Sequence, residues 1–176
     1  ETRNKNGTSS KMKFNEKHIL TDSVSYNNNG DLHGVIMHLD TEENIKEYYT
    51  YKDGVKNGEV KYYYYPDGIL KFKGIYVNDI NHGENYFYDR NGRITVYEFI
   101  DSKGRMVFQR TYDSLGEIKK SEGFLGYYNA LNKDTISLSD SLYIELIMGR
   151  PPFTNVYLYI GDSLKPFTIY TNASHP

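Results

Sequence analysis

The sequence contains no cysteine and no tryptophan, although it has 19 tyrosines and 8 phenylalanines. Without cysteine, disulfide bonds, thiolate metal sites and a cysteine nucleophile are excluded. No apolar run approaches the roughly 20 residues that a membrane-spanning helix needs. A net charge of −2 gives no bias towards nucleic acid, so no nucleic-acid partner is expected. The many tyrosines, which suit half-buried strands, favour a β-rich protein.

A tandem repeat organises most of the chain. Four dipeptides have second residues spaced 24 apart, and they are Glu43-Asn44, Asp67-Gly68, Asn91-Gly92 and Leu115-Gly116. Glycine adopts positive φ freely and asparagine tolerates it, so each dipeptide is predicted to be a two-residue hairpin turn. Longer loops are predicted between these turns, at residues 28–34, 53–58, 78–83 and 101–104.

Strand-length segments lie between the two kinds of turn. The predicted strands are 18–26, 35–39, 45–51, 60–65, 69–77, 85–88, 94–100, 106–112 and 117–124. Because every connection is short, neighbouring strands must be antiparallel. The sequence therefore predicts an all-β fold, an elongated antiparallel meander of tandem β-hairpin repeats.

The best copy of the repeat combines Asn57-Gly58, the aromatic run Tyr62 to Tyr65, Asp67-Gly68, Tyr76 and His82-Gly83. This arrangement resembles the bacterial MORN-like repeat found in YwqK-family antitoxin-type proteins. The resemblance covers about residues 17–124, and the last copy departs from it because no His-Gly or Asn-Gly opens it. It implies an elongated antiparallel sheet and a role in binding, scaffolding or lipid contact rather than catalysis.

Three regions are expected: a flexible polar tether at residues 1–16, the repeat array at 17–124, and a C-terminal β segment at 125–176. Residues 126–132 are interpreted as a connector, followed by short β-like runs at 135–138, 141–148, 155–160 and 166–171. This segment is expected to be a cap or a partial β-sandwich, because repeat arrays must protect their end strands. Since the sequence starts at Glu1 rather than Met, an upstream tag, signal peptide or lipoprotein leader is expected.

No motif for chemistry emerges. A glycine-rich phosphate loop and a Gly-x-Ser-x-Gly motif are absent. His33 and His82 both precede a glycine of the repeat, so turn structure explains them better than a metal role. We therefore expect no catalytic residues, no cofactor and no metal, and interpret the protein as not being an enzyme. A carbohydrate-active enzyme is the least favoured alternative.

The expected function is that of a non-catalytic binding or scaffold module at the bacterial cell envelope. The expected location is extracytoplasmic, either in the periplasm or on the outer membrane as a lipoprotein. A cytosolic, partner-binding antitoxin-type protein is the alternative. The expected partner is a protein or an envelope component, either polysaccharide or a lipid surface. The predicted binding face consists of Tyr62, Tyr64, Tyr86, Tyr88, Tyr97, Lys61, Lys71 and Lys73. These lysines could attract an anionic partner, but lysines that protect edge strands from aggregation are the favoured explanation.

Overall fold

The computed structural model describes residues 2–3, 8–42, 44–130, 144–154, 159–160 and 167–168. Its strands are β1 (Thr2–Arg3), β2 (Ser9–Phe14), β3 (Leu20–Tyr26), β4 (Leu32–Leu39), β5 (Ile45–Lys52), β6 (Val55–Tyr63), β7 (Leu70–Val77), β8 (Ile80–Asn81), β9 (Gly83–Tyr88), β10 (Ile94–Ile100), β11 (Met106–Tyr112), β12 (Ile118–Gly123), β13 (Gly126–Ala130), β14 (Ile144–Met148), β15 (Tyr159–Ile160) and β16 (Phe167–Thr168). Over the described residues, no helix is long and apolar enough to cross a membrane.

One antiparallel sheet contains the first twelve strands. Its order follows the chain from β1 to β12, except that the short β8 pairs with β7 beside the main path. The pairs β13–β14 and β15–β16 form two small separate sheets. The predicted all-β meander of consecutive hairpins is therefore confirmed.

Two segments differ from the sequence-based expectation. Ser9–Phe14, placed in the polar tether, is strand β2 and pairs with β3. Gly126–Ala130, interpreted as a connector, is strand β13 and pairs with Ile144–Met148. In both cases a neighbouring strand supplies the backbone partners, which local hydrophobic patterning does not reveal. Of the predicted C-terminal runs, residues 135–138 lie outside the described residues, as do parts of the other three.

Several loop lengths differ from those predicted, although the loops after Asn27 and Asp101 are longer than two residues as predicted. Asp89 and Arg93 close a three-residue loop, in which Gly92 has φ 75° and donates its N–H to the Asp89 carbonyl. The two-residue turns are instead Asp53-Gly54 and Asn78-Asp79, where all four residues have positive φ. Such turns need positive φ at both central positions, whereas a three-residue loop needs it only at its last residue. Gly68, Gly92 and Gly116 have the predicted positive φ, at 64°, 75° and 84°. The fourth predicted turn, Glu43-Asn44, includes Glu43, which lies outside the described residues.

A carboxylate or amide side chain begins each three-residue loop and organises it. Asp89 Oδ1 accepts hydrogen bonds from the backbone N–H groups of Asn91 and Arg93 at 2.8 and 2.9 Å. The same pattern recurs at five other loops, which begin at Asn15, Asn27, Asp40, Asp101 and Asp113. This local hydrogen bonding explains the Asp and Asn residues between the strands.

Aromatic rings cover one side of the sheet, which we call the rear face and define by Tyr49, Tyr62, Phe72 and Phe87. Ring centroids lie 6.0 Å apart between Tyr49 and Tyr62, 5.3 Å between Tyr62 and Phe72, and 5.0 Å between Phe72 and Phe87. A Cβ atom at Gly74 would collide with Asn85 Oδ1 and lie 2.7 Å from Phe72 Cζ. Glycine is therefore required there for the ring to pack against the backbone.

Candidate binding surface

The opposite side of the sheet is the front face, defined by the cross-strand row Lys61, Lys73, Tyr86 and Tyr97. Lys61 is paired with Lys73, Lys73 with Tyr86, and Tyr86 with Tyr97. Paired residues in antiparallel strands share a face, so these four predicted site residues lie together. Lys71 and Tyr88 alternate with members of the row on β7 and β9 and belong to the same face.

Tyr62 lies on the rear face, so its assignment to the same face as Tyr86 is wrong. It is paired with Phe72, which is paired with Phe87. Gly83 follows Gly58 by 25 residues rather than 24, which makes Phe87 the structural counterpart of Tyr62. A shift by one residue moves a side chain to the other face of a strand.

Two lysines share one carboxylate on the front face. Glu59 Oε2 lies 2.6 Å from Lys61 Nζ, and Glu59 Oε1 lies 3.3 Å from Lys73 Nζ. The hydrogen bond from Lys61 lowers the pKa of the Glu59 carboxyl, and the same contact raises the pKa of Lys61. Lys61 Nζ also lies 5.0 Å from the centre of the Tyr48 ring, within the range of a cation–π contact.

A second cationic group surrounds Tyr64. Lys71 Nζ and the Arg90 guanidinium lie 5.6 and 4.7 Å from the centre of its ring, and Arg90 also pairs with the Asp67 carboxylate. The Tyr64 hydroxyl donates a hydrogen bond to the Tyr88 carbonyl at 2.9 Å. Tyr64 and Tyr88, both predicted site residues, are thus brought together with Lys71.

Exposure divides the front face into two parts. The open half lies on β5 to β7, where the side chain of Lys73 is 41% exposed and Ile75 is 43% exposed. The covered half lies on β9 to β11, where Tyr97 is fully buried and Tyr86 is half-buried. The buried cluster of Tyr97, Phe99, Phe108 and Tyr112 belongs to this half, with Leu125 and Ile147 packed against it. Tyr97 is therefore not available on the open surface.

Histidine–carboxylate pairs were not anticipated from the sequence. His38 Nδ1 lies 2.7 Å from Asp22, and His33 Nδ1 lies 3.0 Å from Asp53. The hydrogen bond with His38 lowers the pKa of Asp22. These partners come from neighbouring strands and turns, so spacing along the chain does not reveal them. Within the described part of the chain, no three His, Asp or Glu side chains form a group that could hold a metal ion.

Comparison with known proteins adds little. The chain matches no protein-family model, and no curated protein is significantly similar to it. A variant of S. aureus TarM, solved with fondaparinux, α-GlcNAc-glycerol and UDP, and a second structure of TarM each share 12% sequence identity with it. Their TM-scores are 0.35 and 0.34, and the matched regions cover 65% and 64% of this chain but only 19% of each TarM chain. A likeness this low carries no argument about function, and the MORN-like resemblance stays a prediction.

Proposed function

We propose that the protein is a non-catalytic binding module of the bacterial cell envelope. It recognises an anionic envelope component, a polysaccharide or a lipid surface, through the open half of the front face. The observation that carries this proposal is the pair Lys61 and Lys73, held directly opposite each other over one carboxylate, Glu59.

The position of these lysines argues for binding. Like charges placed directly across a sheet are destabilising. Protection of an edge strand does not account for the pair, because β6 and β7 have neighbouring strands on both sides. Glu59 compensates only one of the two positive charges. An anionic ligand would compensate the other.

The surrounding side chains suit a large, extended ligand. Tyr48 and Tyr64 present rings beside Lys61 and Lys71, and the exposed Ile75 and Val77 continue the face along β7. Rings and apolar groups stack on sugars or acyl chains, while ammonium groups attract sulfate, carboxylate or phosphate. An open sheet face of this kind offers contacts along its length rather than a closed pocket.

Binding to defined probes tests the proposal. We expect the protein to bind dextran sulfate but not dextran, or vesicles containing phosphatidylglycerol but not pure phosphatidylcholine, with affinity falling as salt is added. Lys61→Gln combined with Lys73→Gln should abolish binding. The matched control is Lys103→Gln combined with Lys119→Gln, which removes the same charge from exposed positions elsewhere. Equal losses in both double variants, or no binding of either anionic probe at low salt, would contradict the proposal.

A further inference from the structure

We propose that the edge strand β12 is a self-association surface, at which two copies of the chain pair antiparallel about Ser121 and join their sheets. This goes beyond the proposed function, since it concerns the last strand of the sheet rather than the open half of the front face. The partner is a second copy of the same chain.

Strand β12 has a neighbouring strand on one side only. It pairs with β11 and ends the sheet, and all of its residues are exposed. The N–H of Phe124, next along the chain, donates to the Val107 carbonyl on β11. Backbone groups alternate in direction along an antiparallel strand, so those of Ser121 and Gly123 point away from β11. Within the described ranges no strand lies beside them, and such an edge can pair with another strand.

The side chains of β12 place an opposite-charge pair on one face. Ser121 is paired with Arg110, which is paired with Tyr97, so Ser121 lies on the front face. Lys120 and Glu122, its neighbours along the strand, therefore lie together on the rear face. Lys120 Nζ lies 2.6 Å from Glu122 Oε1.

These charges select one register for pairing with a second copy. With a twofold axis at Ser121, Lys120 of each copy lies directly opposite Glu122 of the other. An axis at Lys120 would place two lysines opposite each other, and an axis at Glu122 would place two glutamates opposite each other. Opposite charges across a strand pair are stabilising and like charges destabilising, so only the axis at Ser121 is favourable.

The other end of the sheet lacks this complementarity. Strand β1 pairs with only the first two residues of β2, and the next residues of β2, Lys11, Met12 and Lys13, are exposed. A twofold axis at Met12 would place Lys11 opposite Lys13, and an axis at either lysine would place that lysine opposite itself. Lysines arranged in this way prevent an edge strand from pairing with its own copy. Self-association is therefore expected at β12 and not at β2.

Sedimentation velocity over a series of protein concentrations tests the association. A bulge interrupts β12 after Ile118, so the pairing segment is short, and a small interface of this kind requires high protein concentration. We expect dimers and no larger species, with association weakening as salt is added. A chain that stays monomeric throughout the series would overturn the proposal. Open-ended oligomers would also overturn it, because they would show that β12 pairs with a different surface.

Charge reversal tests the register. Lys120→Glu and Glu122→Lys should each raise the dimer dissociation constant on the order of tenfold or more, because each places like charges opposite each other. An equimolar mixture of the two variants should associate again, since every facing pair then has opposite charges. The matched control is Lys119→Glu, which changes the net charge equally on the same strand but lies opposite Gly123. Dimerisation that is unchanged in both reversals, or a mixture that fails to associate, would contradict the register.

A single introduced thiol tests the same register without reversing a charge, because the chain has no cysteine of its own. The α-carbons of directly opposite residues lie about 5.5 Å apart, within reach of a disulfide bond. Oxidation with copper phenanthroline should therefore link two copies of Ser121→Cys covalently. It should not link Lys119→Cys, whose thiol lies opposite Gly123 rather than opposite its own copy. Equal cross-linking of the two variants, or none in either, would overturn the proposal even if the charge-reversed chains failed to fold.

Discussion

Asp101 tests whether the loop carboxylates stabilise the repeat. It begins the loop between β10 and β11 and is only 3% exposed. Its Oδ1 accepts from the backbone N–H groups of Lys103 and Arg105, both at 2.9 Å, and its Oδ2 accepts from Arg105 Nε at 2.8 Å. A hydrogen bond to a charged group contributes about 1.5–3 kcal/mol, and in the variant water can replace part of this because the donor residues Lys103 and Arg105 are exposed. The Arg105 side chain is 69% exposed, so its ion pair adds little. We expect Asp101→Ala to lower the free energy of unfolding by about 2–3 kcal/mol.

Two further variants separate the contribution of the Asp101 charge from that of its hydrogen bonds to the backbone. Asp101→Asn keeps an oxygen for the two backbone N–H groups and loses only the charge, so it should lose less than half as much stability. Asp113→Ala removes the same backbone contacts, to Leu115 and Glu117, from an exposed loop without an arginine partner. It should therefore destabilise less than Asp101→Ala. Urea unfolding followed by circular dichroism at neutral pH gives all three values.

The effect of Asp101 should depend on pH. Burial raises the pKa of its carboxyl, but hydrogen bonds from Arg105 and Lys103 outweigh burial and bring it below the ordinary 3.8. Because the folded pKa is lower than the unfolded one, this stabilisation is present above pH 3.8 and is lost as pH falls through the folded pKa. The difference in free energy of unfolding between wild type and Asp101→Ala should therefore become smaller in acid. A pH-independent gap, or a loss no larger than that of Asp113→Ala, would refute the reasoning.

Four other outcomes are expected. Gly92→Val should destabilise by about 1 kcal/mol or more, because Gly92 has φ 75°; urea unfolding measures this, and an unchanged midpoint would contradict it. Phe72→Ala should cost about 3 kcal/mol by the same assay, since Phe72 is 7% exposed and its ring packs between two others. Burial, reinforced by Glu84, raises the pKa of Tyr97 above 10.0. The stability that the neutral Tyr97 side chain gives the folded protein is therefore complete below pH 10.0 and is lost as pH rises further. Burial also raises the pKa of Tyr49 and Tyr86, so tyrosinate absorbance should show several late-titrating groups, one fewer of them in Tyr97→Phe. His82→Gln should change neither the unfolding midpoint nor the metal content measured by mass spectrometry; loss of a bound metal would refute the turn interpretation.

Turn chemistry made much of the fold predictable. The predicted strands 94–100 and 106–112 agree with β10 and β11, because Asp and Gly residues mark the loops on both sides. Positive φ at a glycine is a local property, and it is visible in a single residue type. Even so, several loop lengths were predicted wrongly, because a residue pair that ends in glycine does not fix the loop length: Asp53-Gly54 is a two-residue turn, whereas Asn91-Gly92 ends a three-residue loop.

The faces of the strands could not be predicted with the same success. Register shifts occur where Tyr62 is followed by Tyr63 and where Phe99 is followed by Ile100. A bulge adds one residue to one strand and changes which side chains lie across from each other. No residue type in the sequence predicts where a bulge occurs. The extra residue between Gly58 and Gly83 has the same effect, so the binding face inferred from simple alternation combined Tyr62 with residues of the opposite face. The carboxylate between Lys61 and Lys73 was missed because the pairing of β6 with β7 brings these side chains together, and spacing along the chain does not show that pairing.

The two ends of the sheet are stabilised differently, and this bears on where binding takes place. In β9 to β11, residues 147–150 pack over Tyr97 and its neighbours and hold them against the sheet. In β4 to β7, rear-face rings and links between successive turns stabilise the array. Such links include Arg90 with Asp67 and Asn27 with Asp53. In a repeat array each unit contacts mainly its neighbours, so local stability follows the local packing. The half that carries Lys61 and Lys73 should therefore open more readily than the covered half, and an anionic ligand bound there should raise the stability of that half first.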